Sequence, residues 1–418
     1  MASFGRLRHA SLGRREVRTL RAIHLLAGDL RDYLERSEAT RAEDYLDRAG
    51  LPVDDPGVEN AIDRGMSWLC LAQDRSASQD GGVAARYSLK TGWEVSYPET
   101  TGYVIPTMFE YARLRRDAPK RERAKRMLDW LVSIQMPEGA YPSGVAGVKP
   151  RVPTVFNTGQ VLLGLAAGVA ELGEEYRPAM IRAADWLARV QDPDGCWRKY
   201  GSPLVAPGEK SYDTHAAWGL LEAARMEPDK PYAEAALANV RWALSQQHAN
   251  GWFQKCCLSD PARPLTHTLG YALRGTIEAY RFARDEMFLA ASLRAADGLL
   301  SALEPEGWLP GRLDHKWRRA TSWVCLTGAV QIAICWMQLY RITGVGKYKD
   351  AGFLANKFVR RTMKISGSPD TLGAIKGSFP GWGRYGRHEF LNWACKFFVD
   401  ANMKEKEVRG RESVSIQN

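Results

Sequence analysis

The sequence predicts an all-α protein, an (α/α)6 toroid of six helical hairpins with six inner and six outer helices. Three features carry that prediction: a repeat with a fixed step, an alternation of two kinds of helix, and an asymmetry of loop lengths. Four segments, MLDWLVSIQMPEGAY, AADWLARVQDPDGCW, VRWALSQQHANGWF and ADGLLSALEPEGWL, share a helix that ends in a polar turn and a glycine beside an aromatic. Their glycines Gly139, Gly195, Gly251 and Gly307 follow one another at steps of 56 residues, and Trp130, Trp186 and Trp242 keep the same step. A step of that length holds two helices and two connections, so each unit is one αα-hairpin. A weaker copy, SWLCLAQDRSASQDGGV, precedes them with Trp68 and Gly82.

The helices of each unit differ in kind. Stretches at about 57–73, 118–135, 176–191, 230–247, 286–303 and 346–363 carry Arg, Lys and Glu on one face, as outer helices should. Stretches beginning near Glu99, Asn157, Tyr212, Thr266, Thr321 and His388 are rich in Ala, Leu, Gly and aromatics with few charges. A helix apolar on most faces must be buried, which makes these the inner ring. The expected domain plan is a basic helical extension over 1–50, the toroid over 51–405 and a disordered tail over 406–418.

Loop lengths then orient the working end. Links from inner to next outer helix are short, whereas links from outer to inner helix (74–98, 136–155, 192–211, 248–265, 304–320 and 364–386) are long. All long loops therefore gather where the inner helices begin, and long loops on a rigid scaffold are where function concentrates. Six helix N-termini converging there favour anionic groups such as carboxylates or phosphates.

Composition bounds the rest. A chain of 418 residues with 45% hydrophobic and 25% charged residues has an ordinary globular composition and ample material for one large core. Seven scattered cysteines without a CxxC pair suit reduced thiols in a cytoplasm rather than a disulfide framework. No apolar run is read as reaching transmembrane length, and no apolar signal core follows the early arginines, so a cytoplasmic protein is expected. The net charge of +10 is spread along the chain with no recognised nucleic-acid motif, which points to solvated helix faces and away from a nucleic-acid partner. Arg6, Arg8, Arg14, Arg15, Arg18 and Arg21 leave three roles open for the N-terminal segment: an extra helical layer, a dimer arm, or a peripheral membrane contact through 1–36. No cofactor is expected.

The helix–Gln–Gly–aromatic repeat resembles the QW-type repeat of squalene cyclases and prenyltransferase β-subunits. The ring of six inner and six outer helices also looks like the six-hairpin glycosidases and the toroidal polysaccharide lyases and epimerases. The resemblance covers roughly 57–402 and implies the architecture more firmly than the chemistry. Squalene–hopene cyclases begin one inner helix with DxDDTA, whose middle Asp protonates the isoprenoid. The matching stretch here is KSYDTHAAWGLL, in which Asp213 and Thr214 match the end of the motif and Tyr212 stands at the acid position. That substitution demotes protonation-initiated cyclisation. Protein prenyltransferases hold zinc through an Asp-x-Cys pair that no inner helix here carries. Cys256, Cys257 and His267 resemble the zinc set of lanthionine cyclases only loosely, and buried thiols explain them better, so no metal is expected.

The heads of the inner helices are polar for a buried ring: SYPETTGY, VFNTGQ, SYDTHAAW, PLTHTLGY, RATSWVC and YGRHEFLNW. Capping accounts for threonines such as Thr100, Thr158, Thr266 and Thr321. It does not account for Glu99, Tyr212, Asp213, His215, His267, Tyr271, His388 and Glu389, which are the catalytic candidates. Tyr103, Asn157, Gln160 and Arg387 are candidate substrate donors and acceptors. Trp93 and Trp323 are stacking candidates near the mouth, with Trp197 and Trp252 beside loop glycines as further ones. Two carboxylates on separate helices fit glycoside hydrolysis. Tyr and His with Asn, Gln and Arg donors fit proton abstraction beside a uronate carboxylate, by a lyase or C5-epimerase, somewhat better. The expected activity is therefore on an oligo- or polysaccharide, with a glycan as partner. Isoprenoid chemistry and a non-catalytic glycan-binding toroid are the alternatives.

Overall fold

The computed structural model describes residues 37–415, which are mostly helical. A short helix α1 (Glu38–Arg48) precedes twelve helices in alternation. The outer ones are α2 (Val58–Asp74), α4 (Ala118–Ile134), α6 (Arg177–Arg189), α8 (Tyr232–Ser245), α10 (Glu286–Leu300) and α12 (Gly346–Arg360). The inner ones are α3 (Pro98–Arg115), α5 (Val155–Leu172), α7 (Thr214–Met226), α9 (Thr266–Ala283), α11 (Leu326–Thr343) and α13 (Asn392–Ser415). Each inner helix packs against the next, and α13 packs back on α3, so the ring closes as the sequence predicts.

The repeat motif is the joint between neighbouring hairpins. The side-chain amides of Gln73, Gln135, Gln191 and Gln247 each donate twice, once to the carbonyl of the turn glycine (Gly81, Gly139, Gly195, Gly251) and once to a carbonyl of the next outer helix (Arg123, Ala179, Ala235, Ala291). The glycines themselves have φ between +81° and +101°, a region that L side chains avoid, and press against a main-chain carbonyl of the following outer helix. This geometry corrects the first copy: its repeat glycine is Gly81, whereas Gly82 packs under Trp130. It also adds a sixth copy, Gly373, whose neighbour is the Arg64 carbonyl of α2. The last turn thus docks on the first outer helix, which seals the ring a second time.

Small strands depart from the expected plan at two inner-helix starts. β1 (Arg86–Ser88) pairs with β2 (Gly92–Trp93) and with β5 (Glu389–Leu391), and β3 (Val324–Cys325) pairs with β4 (Ser378–Phe379). As a result α11 begins at Leu326 rather than near Thr321, and α13 begins at Asn392 rather than near His388. Helix α13 also runs on to Ser415, through most of the segment expected to be a disordered tail. Ion pairs Arg409–Glu405 and Arg411–Glu407 at i,i+4 spacing support it. One inner helix, Val155–Leu172, is long and apolar enough to cross a membrane, against the sequence expectation; most of it is buried inside the ring, which accounts for its composition. Of the N-terminal extension, residues 1–36 lie outside those described, and α1 docks on the last long loop.

Candidate active site

A cavity of about 580 Å³ opens at the end of the ring where the inner helices begin and the long loops gather. Its floor and walls come from the heads of α3, α5, α7 and α9, with Tyr385 and Trp393 from the sixth repeat. Glu99 follows Pro98, which occupies the first turn of α3 with its φ preset for a helix. Tyr212 and Asp213 sit on the 3-10 turn Ser211–Asp213 that leads into α7. His267 and Tyr271 are one turn apart on α9 and therefore share a face.

Two carboxyl groups open into this one space. Glu99 lies deep in the cavity, and burial raises its pKa to about 7, while the Tyr97 hydroxyl, donating to Oε2 at 2.7 Å, pulls the other way. Asp213 is buried without a hydrogen-bond donor to its carboxyl among the described residues; burial raises its pKa to about 8, with Lys210 opposing. The two environments thus differ in kind. One carboxylate has a donor to stabilise its charge, and the other is kept neutral.

Aromatic rings and the loop 197–210, which brings Arg198, Lys199 and Lys210, form the rest of the wall. Phe156 packs edge-on against Tyr212 and Tyr271 with centroids 5.3 and 5.0 Å away. Tyr271 lies between two histidines, each with its ring centroid 4.4 Å away. Trp393 donates its indole N–H to the Tyr385 hydroxyl at 2.8 Å. Burial raises the pKa of Tyr97, Tyr103, Tyr212, Tyr271 and Tyr385, so these hydroxyls enter the cavity as neutral donors and acceptors.

Both histidines are built alike. His215 Nδ1 meets Gln160 Oε1 at 2.7 Å, and His267 Nδ1 meets Gln331 Oε1 at 2.7 Å. An amide oxygen only accepts, so Nδ1 carries the proton and Nε2 is left as the acceptor of each neutral ring. Burial keeps both rings neutral, lowering the pKa of His267 to about 4 and holding that of His215 well below the usual imidazole value. His267 faces the cavity, whereas His215 stands behind Tyr271 against Trp218 and Phe397. His215 and Gln160 are therefore supports of Tyr271 rather than groups at the cavity surface.

The structure gathers Glu99, Tyr103, Asn157, Trp197, Tyr212, Asp213, His267 and Tyr271 around one space. It removes several other candidates. His388 Nε2 is bound to Asp44 at 2.8 Å, Glu389 pairs with Arg86 at 3.4 Å, and Arg387 donates to the Trp382 carbonyl at 3.2 Å. Strand β5 delays the helix by four residues, and these three side chains fall outside the cavity lining. Trp93 packs on Trp68 and donates to Asp370, Trp252 packs on Trp317, and Trp323 lines a neighbouring groove. Cys256 is a buried thiol donating to the Thr268 carbonyl. Tyr97, Phe156, Tyr385, Trp393 and Lys210 were not anticipated. Tyr97, directly before the Pro98 helix start, carried a readable signal; the other aromatics depended on how the loops close.

The cavity and the ring can now be set beside known proteins. The model of the squalene–hopene cyclase C-terminal domain matches residues 45–277. The chain belongs to that family. It is 27% identical over 168 residues to squalene–hopene cyclase of Zymomonas mobilis, covering 38% of this chain and 22% of that protein. It is 33% identical over 106 residues to ent-copalyl diphosphate synthase of a Streptomyces species, covering 25% of this chain and 19% of that one. The chain thus spans about a fifth of the length of these two relatives. Among solved structures, an unsaturated glucuronyl hydrolase specific for heparin superposes with a TM-score of 0.68 at 15% identity, over 85% of this chain and 99% of that one. Cellobiose 2-epimerase from Bacillus thermoamylovorans gives 0.65 at 10% identity, over 84% and 98%. At such identities the likeness shows the shared (α/α)6 toroid of the six-hairpin glycosidase type. The relatives by sequence are terpene cyclases and the neighbours by structure are carbohydrate-processing enzymes.

Proposed function

We propose that this protein is a carbohydrate-active enzyme that cleaves a glycosidic bond by acid–base catalysis, with Asp213 as the acid and Glu99 as the base. The observation that carries this is the pair of carboxyl groups in one cavity, both raised by burial, with the rise opposed at Glu99 by the hydrogen bond from the Tyr97 hydroxyl. Environments that separate two carboxyl groups in this way assign acid and base roles. In the step itself Asp213 gives its proton to the leaving glycosidic oxygen as the C–O bond breaks. Glu99 takes a proton from the water whose oxygen bonds to the anomeric carbon. Afterwards Glu99 returns a proton to solvent and Asp213 regains one.

The wall supports a polar substrate. A hydrocarbon would leave the open Nε2 of His267 and the Tyr103 hydroxyl, which has no hydrogen-bond partner among the described residues, facing an apolar surface. Each such buried polar group left unpaired costs about 1–3 kcal/mol. Sugar hydroxyls would pair with them, while Phe156 and Trp393 would supply apolar faces. Elimination or epimerisation, the chemistry the sequence favoured, would have to draw its enolate-stabilising cation from Arg198, Lys199 or Lys210 on the cavity wall, because Arg387 lies elsewhere.

A second reading has its own support. In family relatives the motif DxDDTA heads the matching helix, and Asp213 with Thr214 matches its end. Tyr212 at the acid position told against a proton source there, yet Asp213 is itself a neutral acid opening into the cavity. In that reading Asp213 would protonate an isoprenoid double bond. The deciding experiment incubates the protein, Asp213→Asn and Glu99→Gln with neutral and uronate-containing oligosaccharides, and separately with squalene and prenyl diphosphates. Release of new reducing ends by the parent and neither variant is the expected result. Inert glycans together with an Asp213-dependent cyclic isoprenoid would overturn it.

A further inference from the structure

The loop 197–210 brings three cations to the cavity wall, and their surroundings differ. Arg198 has Asp192, Asp194 and Glu209 at ion-pair distance, between 2.6 and 3.4 Å. Lys199 is exposed, where water and salt screen an ammonium. Lys210 is only 8% exposed, and its ammonium meets no carboxylate, carbonyl or hydroxyl among the described residues. The adjoining carboxylate, Glu209, is already shared by Arg198 and Lys255, each at 3.4 Å. Nor is the ammonium sealed within the protein: it keeps accessible surface, and the residue lines the cavity on one side and a hollow beside Trp252 and Lys255 on the other.

The backbone fixes where this lysine stands. Lys210 is extended and opens the 3-10 turn, whose Asp213 amide donates to the Lys210 carbonyl at 3.1 Å. The turn thereby sets the lysine and the proposed acid on the same wall. The Lys210 charge is felt at the Asp213 carboxyl, where it opposes the effect of burial. Asp213 does not balance that charge in return, because burial keeps its carboxyl protonated up to about pH 8. Glu99 is engaged by Tyr97. At neutral pH a desolvated ammonium therefore stands beside the acid with no anion of the protein to balance it. A buried charge left unpaired is costly, and a bound anion would relieve that cost. A lysine ammonium is a compact point charge, so its natural partner here is a single oxyanion.

We propose that Lys210 selects the substrate by binding a singly charged oxyanion, a carboxylate or a sulfate ester, on the sugar next to the bond that Asp213 protonates. The inference rests on the carbohydrate reading of the cavity and narrows it to acidic glycans. Lys210 acts in binding, and the acid–base step stays with Asp213 and Glu99.

Binding tests this without turnover. Asp213→Asn protein at neutral pH is titrated calorimetrically with a glucuronate-containing disaccharide, a sulfated disaccharide, their neutral counterpart and farnesyl diphosphate. One acidic disaccharide should bind at least tenfold tighter than the neutral one, with the gap shrinking as salt rises. Adding Lys210→Met, which keeps an unbranched side chain and drops the charge, should bring the acidic sugar down to the affinity of the neutral one. Lys210→Arg should restore part of the preference. Whichever acidic disaccharide binds identifies the oxyanion. In the otherwise unchanged enzyme, Lys210→Met should raise KM for the acidic substrate more than it lowers kcat. It should also move the alkaline limb of kcat/KM to higher pH, because the charge opposing burial at Asp213 is gone. Should Lys210→Met fail to fold, the acidic preference of the Asp213→Asn protein and its salt dependence remain as the test. Equal affinity for acidic and neutral sugars, no binding of any sugar, an acidic preference that Lys210→Met leaves intact, or tighter binding of farnesyl diphosphate than of any sugar would each overturn the proposal. A Lys210-dependent acidic preference in a parent that cuts no glycan would instead count against the catalytic reading and leave the selection standing.

Discussion

At the scale of single residues, the site turns on how two carboxyl groups are held. Glu99 must be ionised to act as a base, so activity should fall as pH drops through about 7. Asp213 must be protonated to act as an acid, so activity should also fall as pH rises through about 8. A narrow bell in kcat/KM against pH is expected. Tyr97→Phe removes the hydrogen bond that stabilises the Glu99 carboxylate and lets burial act unopposed. The acid limb should therefore move upward toward the alkaline one, and the peak should fall; an unmoved limb would deny Tyr97 its role. Burial raises the pKa of Asp213 in the folded state, so the folded protein holds a proton that the unfolded chain releases from about pH 4 upward. Its contribution to stability is therefore lost progressively as pH rises from about 4 to about 8, and the loss levels off above that. Asp213→Asn, neutral at every pH, should lose turnover by roughly 10²–10⁴-fold yet melt at a higher temperature than the parent, with the gap widening from pH 6 to pH 9. Thermal melts across that range check it.

At the scale of elements, the joint between hairpins is where sequence and fold correspond most closely. The turn glycine is required twice over, by its positive φ and by the carbonyl of the next outer helix against it. Gly251→Ala should destabilise the protein by roughly 2 kcal/mol or more, since alanine both resists that backbone region and forces the Arg294 segment away. Urea unfolding would measure it, with Gly173, which has a positive φ but open space around it, as the milder comparison. This joint explains why the ring was legible in advance. A local motif with a fixed step leaves its trace in one sequence, and Gln135, Gln191 and Gln247 mark it plainly. The sixth copy was missed because Gly373 follows a turn with neither the Gln nor the aromatic. The site was legible only where an inner helix starts directly at the cavity, as with Glu99, Asp213 and His267. It failed at Arg387, His388 and Glu389 because a non-local strand pairing, β5 on β1, takes up those residues before the helix begins. Nothing local in that stretch announces the partner some 300 residues away.

At the scale of the whole molecule, the ring needs a device to hold its last and longest connection. Helix α1 supplies it from outside the repeat. Lys376, on that connection, is 3% exposed and bonded to Glu43 at 2.7 Å and to Asp47, while Lys364 reaches Glu43 at 2.8 Å. Asp47 also accepts from the Gly381 amide at 2.6 Å, and Asp44 holds His388. Although burial alone would raise it, Lys376 and Lys364 hold the Glu43 carboxyl below the usual range, and burial raises that of Asp47. The network spans 376–388, the stretch that delivers Tyr385 to the cavity. Removing one member of a buried charge network leaves the others unpaired, at a cost of about 3–5 kcal/mol. Lys376→Met should therefore destabilise the protein by about that amount, and the damage should reach the site through Tyr385. A rise in KM that exceeds any fall in kcat is expected, because a loosened wall weakens substrate positioning more than it alters Asp213 and Glu99. Asp47→Asn together with Lys376→Met should recover part of the stability, since the double change leaves the Glu43–Lys364 pair complete whereas either change alone leaves one charge over. Additive losses in that cycle, measured by denaturant unfolding, would show that α1 rests on the ring without bracing it.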